Sequence, residues 1–291
     1  MSSSGKSIIL LLCTALLWST GGILIKVVDM NPLSIAGCRC VIALPLLFYV
    51  YYKQKHFKIS WTQFFGAIFY SLTVILFVVA TKMTTAANAI LLQYTAPIYV
   101  AILGAWFLKE RVDIIDWIVI IVAFFGIFLF FIDDITFTGL WGNIIALITG
   151  LCFALLIILM RKQKDSSPFG TVFFGNILTI VICLPFIFQQ YPTTPLSWLG
   201  LIFLGLFQVG LAYVLFSIAI KNVSALQGVM IPLIEPILNP IWVLLFYSEM
   251  PGQWSIIGGS IVICAVGIRS CRQVRVSSLI NKVAASVKHN S

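Results

Sequence analysis

The chain has 291 residues, 61% of them hydrophobic and 9% charged, with a mean hydropathy of +1.09, whereas an ordinary soluble domain is about 25% charged. Nine acids and eighteen bases cannot cover a fold of this size with a polar shell, which excludes soluble enzymes, nucleic-acid binders and disordered chains and leaves a polytopic membrane protein. The net charge of +9 is read as topology, because the bases sit between long apolar runs and Lys and Arg collect in cytoplasmic loops.

A spanning helix needs roughly 17–25 mostly apolar residues. The runs predict ten, at 8–28, 33–52, 64–81, 85–108, 113–132, 141–160, 170–190, 196–220, 224–247 and 254–272. They are continuous rather than alternating, and lipid offers no partner to an open sheet edge, so the expected fold is all-α. The first run follows Lys6 as a signal peptide would, but it is too long and lacks a clear small-residue cleavage site, so it is read as a membrane helix. The longer connections are 53–63 (Lys53, Lys55, His56, Lys58), 133–140 (Asp133, Asp134) and 161–169 (Arg161, Lys162, Lys164, Asp165). None could house a soluble domain, so any activity must lie among the helices. With the N-terminus in the cytoplasm, fifteen of the eighteen bases fall inside, leaving Lys26, Arg39 and Lys82. Both termini are therefore expected to be cytoplasmic. The tail, 273–291, reads equally as an amphipathic helix on the inner leaflet or a frayed end. Six of the seven cysteines fall inside apolar runs and Cys271 at the end of one, without metal-type spacing, and read as free thiols.

Shifted by 139 residues against itself, the chain is identical at 13 of 47 positions between Phe64 and Glu110. The matches include Gly66/Gly205, Phe77/Phe216, Lys82/Lys221, Ala86/Ala225, Pro97/Pro236 and Glu110/Glu249. Apolar composition alone does not align Gly, Lys, Pro and Glu without a gap. The expected units are 8–132 (helices one to five) and 141–272 (helices six to ten). Five is odd, so the second copy must enter the membrane upside down. Inverted repeats are the architecture of many secondary transporters, with the site near the bilayer midplane where the halves meet.

The segments "LLWSTGGILIK" and "NPLSIAGCR", with the pair "TAPIYVAILGAWFLKE" and "IEPILNPIWVLLFYSE", carry a specific likeness. Over about residues 8–270 the chain resembles the EamA-type branch of the drug/metabolite transporter superfamily. The resemblance implies a ten-helix fold of two inverted five-helix repeats. It also implies export or uptake of amino acids, related metabolites and amines. The second copy departs from the first in places: helix seven has Pro168 where helix two has Pro32 but Gly175 in place of Arg39, and the glycine after Glu249 (Gly267) comes later than the one after Glu110 (Gly126).

Ionisable groups within a bilayer are functional candidates by default. Glu235 lies at least eleven residues from either end of helix nine, about 17 Å deep at 1.5 Å per residue. It could bind a cation or amine when ionised and carry a proton otherwise, or serve as a structural carboxyl on backbone freed by Pro232, Pro236 and Pro240. Arg39, roughly 9 Å below the outer end of helix two, could hold a substrate carboxylate through its fork. It could instead pair with Glu235 or snorkel to the headgroups. Lys26 reads as interfacial. Pro97 and Pro236 occupy equivalent mid-helix positions, and corresponding breaks in inverted repeats point to the pathway. Around them Trp18, Ser19, Gln93, Tyr94, Gln208, Tyr213 and Asn239 are candidates for a polar cavity. Asn88, Thr95, Gln227 and Thr20 lie nearby. Glu110 and Glu249 sit at matching helix ends and read as surface or gate-latch residues.

The sequence is thus read as a secondary active transporter of small polar metabolites such as amino acids or related amines, working by alternating access. No Walker-type loop is present, so direct ATP hydrolysis is not expected. Neither a cofactor nor a metal is expected. The competing readings are a polytopic membrane enzyme, which would want clustered acids or histidines in the helices, and a channel. The expected partners are a small-molecule substrate and the lipid bilayer, not nucleic acid; a homodimer is left open. The expected location is the bacterial inner membrane.

Overall fold

The computed structural model describes residues 3–53, 60–110, 112–130, 132, 139–238, 252–254 and 256–269. Among these, every regular element is helical. In chain order they are α1 (Ser3–Trp18), α2 (Gly21–Val27), α3 (Pro32–Lys53), α4 (Trp61–Met83), α5 (Ala86–Gln93), α6 (Ala96–Leu108) and α7 (Ile114–Phe130), then α8 (Leu140–Lys162), α9 (Pro168–Ile187) and α10 (Pro195–Phe203). A π-helical segment (Leu204–Leu211) continues α10 into α11 (Ala212–Ala219), and α12 (Ala225–Met230) runs on into a 3-10 turn (Ile231–Ile234). The last described helix, α13, spans Ile256–Arg269.

Among the described residues, seven helical stretches, two of them interrupted by a turn, are long and apolar enough to cross a membrane: Ser3–Val27, Pro32–Lys53, Trp61–Met83, Asn88–Leu108, Leu140–Lys162, Pro168–Ile187 and Pro195–Ala219. Three apolar helices are shorter, at Ile114–Phe130, Ala225–Leu238 and Ile256–Arg269. These three fall where the sequence predicts helices five, nine and ten. The second half of helix nine, with Asn239 and Glu249, and the tail 273–291 lie outside the described residues.

Helix starts follow local chemistry. Ser60, Thr85, Ser167, Thr194 and Ser224 each accept a hydrogen bond from a backbone N–H one turn into the helix they open, which satisfies a donor that has no intrahelical partner. Pro168 and Pro195 follow two of these caps at the position where a missing N–H costs nothing. At α12 the cap is reciprocal, since the Gln227 side chain also accepts from the Ser224 N–H.

The polarity of the fold is inverted relative to a soluble protein. Large apolar side chains such as Phe48, Trp61, Trp106, Ile114, Trp141 and Leu199 are exposed around the outside. Arg39, Glu235, Gln208, Asn176 and Gln227 are buried. In lipid that arrangement has no hydrophobic penalty outside and concentrates polar groups in the interior. The centre is built by α3 against α9, α4 against α8 and α9, and α1 against α11.

Association of such helices rests on close approach rather than on a hydrophobic driving force. Gly150 of α8 shows this. A Cβ there would stand 2.8 Å from the Gln93 carbonyl oxygen and 2.9 Å from Thr95 Oγ1, at the junction of α5 and α6. Gly150→Ala should therefore push the junction off α8 and destabilise the protein by about 1–3 kcal/mol, read as a lowered thermal melting midpoint in detergent. An unchanged midpoint would show that the contact carries no packing strain.

Candidate functional site

Four helix irregularities stand near one another in the interior. Between α1 and α2 the chain turns at Ser19 and Thr20, whose hydroxyls donate back to the carbonyls of Leu16 and Leu17 at 2.7 and 2.8 Å. Between α5 and α6 it turns at Tyr94 and Thr95, and Thr95 Oγ1 donates to Leu92 O at 2.7 Å. Pro97 enters the first turn of α6, where its lack of an N–H disturbs no ladder bond. The 139-residue shift carries Tyr94 and Thr95 onto Leu233 and Ile234, inside the 3-10 turn that precedes Pro236. The fourth irregularity is the π-helical segment that holds Gln208.

These breaks surround a cavity of about 30 Å³, lined by Trp18, Arg39, Thr73, Val74, Phe77, Gln93, Phe153, Gln208, Val209, Tyr213 and Glu235. That is room for one or two water molecules, well below the roughly 300–1,000 Å³ of occupied small-ligand sites, so a substrate enters only when the lining side chains move apart. Six residues singled out from the sequence (Trp18, Arg39, Gln93, Gln208, Tyr213 and Glu235) are thus brought to one cavity. Tyr94 stands directly behind, in contact with Glu235. The Ser19 hydroxyl turns onto its own helix, and Asn239 lies outside the described residues.

The Arg39 guanidinium does not snorkel. Its residue is 2% exposed, with Nη1 donating to Gln208 Oε1 at 3.0 Å and Nη2 to the Val74 carbonyl at 2.7 Å. Its Nε is buried without a partner. Nor does it pair with Glu235: the ion pairs among the described residues are Arg161–Glu110 and Arg269–Asp116. A guanidinium and a carboxyl group therefore face one small cavity without pairing with each other.

Glu235 is held by Tyr94. The Tyr94 hydroxyl is 2.5 Å from Glu235 Oε2 and 3.0 Å from the Pro232 carbonyl. A phenol has a single proton. When the carboxyl is ionised, that proton serves Oε2. When the carboxyl is protonated, it can donate to the phenol oxygen, which then donates to Pro232 O. Either charge state leaves the pair satisfied, which is what a group that takes up and releases a proton requires. Gln93 Oε1 is buried and unpartnered, so the cavity also presents an unused acceptor.

Aromatic groups form one wall. Trp18 packs on Phe153, Tyr213 and Phe216 with ring centroids 5.7, 5.2 and 5.6 Å away, and its Nε1 donates to the Gln208 carbonyl at 3.1 Å. Tyr70 lies edge-on to Tyr213 at 4.7 Å. Thr73, Val74, Phe77, Phe153 and Tyr70 were not singled out from the sequence. Phe77 could have been: it is one of the identical repeat pairs, and its counterpart Phe216 touches Trp18. Val74 contributes through its backbone carbonyl, which no side-chain pattern signals.

Away from the cavity, Glu110 joins several chain ends. Its Oε1 accepts from Arg161 Nε at 2.9 Å and its Oε2 from the Ala225 N–H at 2.8 Å. Arg161 Nη1 donates in turn to the carbonyls of Ile220 and Lys221. At the other end of the bundle, the Asp29 N–H donates to Ser197 Oγ and the Asn31 N–H to Gln190 Oε1. There Lys26 and Lys82 also donate to the carbonyls of Thr84 and Val28.

A bundle of apolar helices, broken around a buried polar cavity, is that of an integral multi-pass membrane protein. Comparison with known proteins places it further: the model of the EamA-like transporter family matches residues 5–132 and again 140–270, so the chain belongs to that family, within the drug/metabolite transporter superfamily. It is 29% identical to an uncharacterized transporter of Archaeoglobus fulgidus over 69% of this chain and 73% of that one. It is 23% identical to human solute carrier family 35 member G1 over 91% of this chain and 78% of that one. A solved crystal structure with 16% identity superposes with a TM-score of 0.77, covering 92% of this chain and 97% of the other; that likeness concerns the fold.

Because Tyr94 is the Glu235 partner, Tyr94→Phe should cost about 1–3 kcal/mol by leaving the carboxyl without its donor. Thermal unfolding of the purified variant checks this. A melt equal to wild type would mean that water replaces the phenol without loss.

Proposed function

We propose that the protein is a secondary active transporter of small polar metabolites such as amino acids or related amines, working by alternating access between two inverted five-helix halves, about 8–132 and 141–272, with both termini cytoplasmic in a bacterial inner membrane. The observation that carries this reading is a buried arginine and a buried glutamate, unpaired with each other, facing one cavity between the halves. A zwitterion matches both: its carboxylate suits the Arg39 fork, and its ammonium suits ionised Glu235. Trp18 and Tyr213 supply an aromatic wall for an apolar side chain or a cation.

The arrangement of halves is supported by the contacts. Exchanging the halves maps α4·α8 onto α1·α11, and α4·α9 onto the contact of α3 with the π-helical segment. It also maps the α5–α6 junction, which lies against Gly150 of α8, onto the 3-10 turn on α1, while α3·α9 maps onto itself. Two related halves give two related states, open to opposite sides. The Glu110 clasp joins the first half to the second at the cytoplasmic end, and the Asp29 and Asn31 contacts join them at the other. Alternating access then consists of releasing one set while the other holds.

Energy would come from a substrate or proton gradient. A proton on Glu235 has a place in the cycle, since Tyr94 accommodates both charge states. Counterflow in proteoliposomes tests the class: a carrier shows acceleration by unlabelled substrate on the far side, and a channel or enzyme does not. Glu235→Gln should abolish accumulation driven by a pH gradient while exchange persists at higher substrate concentration, since the ammonium loses its charged partner; undiminished accumulation would refute proton coupling through this residue. Arg39→Lys should weaken carboxylated substrates about tenfold or more, because a hydrogen bond to a charged group is worth about 1.5–3 kcal/mol and Lys lacks the planar fork. Amines should be affected less, and equal losses would remove Arg39 from substrate contact.

Glu110→Ala should loosen the cytoplasmic clasp. A single cysteine placed at Thr73, in a background without the native cysteines, should then react several-fold faster with an impermeant maleimide added from the N-terminal side, following the shift in conformer population. No change in rate would mean that the clasp does not gate the cavity.

A further inference from the structure

The sequence around Gln208, L-G-L-F-Q-V-G-L, has a glycine on each side of the glutamine, and it forms the π-helical segment. Such wide turns are rare and recur at functional sites. Gly205 lets this segment approach the arginine-bearing helix: a Cβ there would fall 2.6 Å from Ile42 Cβ and 2.9 Å from the Arg39 carbonyl oxygen. Gly21, just past the break in the first helix, makes room for the glutamine side chain itself, since a Cβ at Gly21 would stand 2.6 Å from Gln208 Nε2. Two helices thus give up side-chain volume so that one carboxamide can reach one guanidinium.

The chemistry of that contact is unbalanced. A guanidinium has five N–H donors, and the described partners of Arg39 are two neutral oxygens, Gln208 Oε1 and Val74 O, with Nε left buried and unpartnered. The amide oxygen must face the arginine, because the guanidinium accepts nothing. A carboxamide oxygen is a neutral, single-pronged version of a carboxylate. A buried cation satisfied only by neutral acceptors retains a strong preference for an anion.

We propose that the Gln208 carboxamide is a built-in surrogate for a substrate carboxylate: it occupies Arg39 in the empty carrier and is displaced when a carboxylate binds. This rests on the cavity being the substrate site. The surrogate keeps the guanidinium from standing unsatisfied in a low-dielectric interior between cycles. It also makes the site selective: a ligand without an anionic end does not displace Gln208. Because the Trp18 indole donates to the Gln208 carbonyl, the segment that yields stays anchored to the first helix and to the aromatic wall.

The test uses purified full-length protein in detergent, and the readout is the ligand-induced rise in melting temperature. The probes are the standard L-amino acids, each beside the amine that lacks its carboxylate. Gln208→Glu fixes a carboxylate on Arg39. It should raise the ligand-free melting temperature and weaken the amino acids that wild type binds about tenfold or more, a difference of about 1.4 kcal/mol, with little change for the amines. Gln208→Ala removes the competitor and should tighten amino-acid binding several-fold. Gly21→Ala displaces the carboxamide without altering it and should shift binding in the same direction, so it decides the matter if Gln208→Glu fails to fold. Equal weakening by Gln208→Glu and Gln208→Ala, or amino-acid binding by Gln208→Glu equal to wild type, would overturn the surrogate and leave the cavity as the site. Wild type that binds neither series would overturn the cavity reading, and the surrogate with it.

Discussion

A guanidinium and a carboxyl group, able to carry opposite charges, share one small cavity in an apolar interior without touching. Burying either alone is costly, and direct pairing of Arg39 with Glu235 would be the simplest relief. The fold prevents this by giving each its own neutral partners: Gln208 and the Val74 carbonyl for the arginine, and the Tyr94 phenol for the glutamate. Neutral partners satisfy the hydrogen bonds but leave the charges available. Most other features of the interior serve that separation.

Broken helices make it workable. An intact helix in lipid spends its backbone groups on itself and offers a ligand only side chains. Interrupting three spans and widening a fourth frees carbonyls and turns side chains inward where a continuous helix would not place them. At the first two breaks the serine and threonine hydroxyls return to the carbonyls of Leu16, Leu17 and Leu92, which satisfies part of the backbone exposed there. Glycines at the crossings, Gly150, Gly205 and Gly21, let the broken segments close around the cavity.

The inventory of the site was partly legible in the chain because polar residues are scarce in apolar runs, and scarcity makes each one conspicuous. Glu235, Arg39, Gln93, Tyr94 and Gln208 stood out for that reason. Their partners did not. Val74 acts through its backbone, Phe153 and Phe77 are ordinary apolar residues in apolar helices, and the Gly21–Gln208 fit exists only because two segments 187 residues apart in sequence cross there. The three alternatives for Arg39 were equally open from its position alone, since depth along a helix does not say which way a long side chain turns. Packing chose between them, by burying the guanidinium against Gln208 rather than against Glu235 or the headgroups.

What the sequence by itself determined was the solvent and the element type: with so few charges the chain must face lipid, and in lipid the backbone must be helical. Its internal likeness at a fixed shift further placed matching prolines and glutamates in two copies, because duplicated segments keep their spacing. The tertiary structure alone decided which of the buried polar groups meet, and through which atoms, because that depends on helix rotation and crossing distance. Those are set by close packing of side chains far apart in the chain, and no local pattern encodes them.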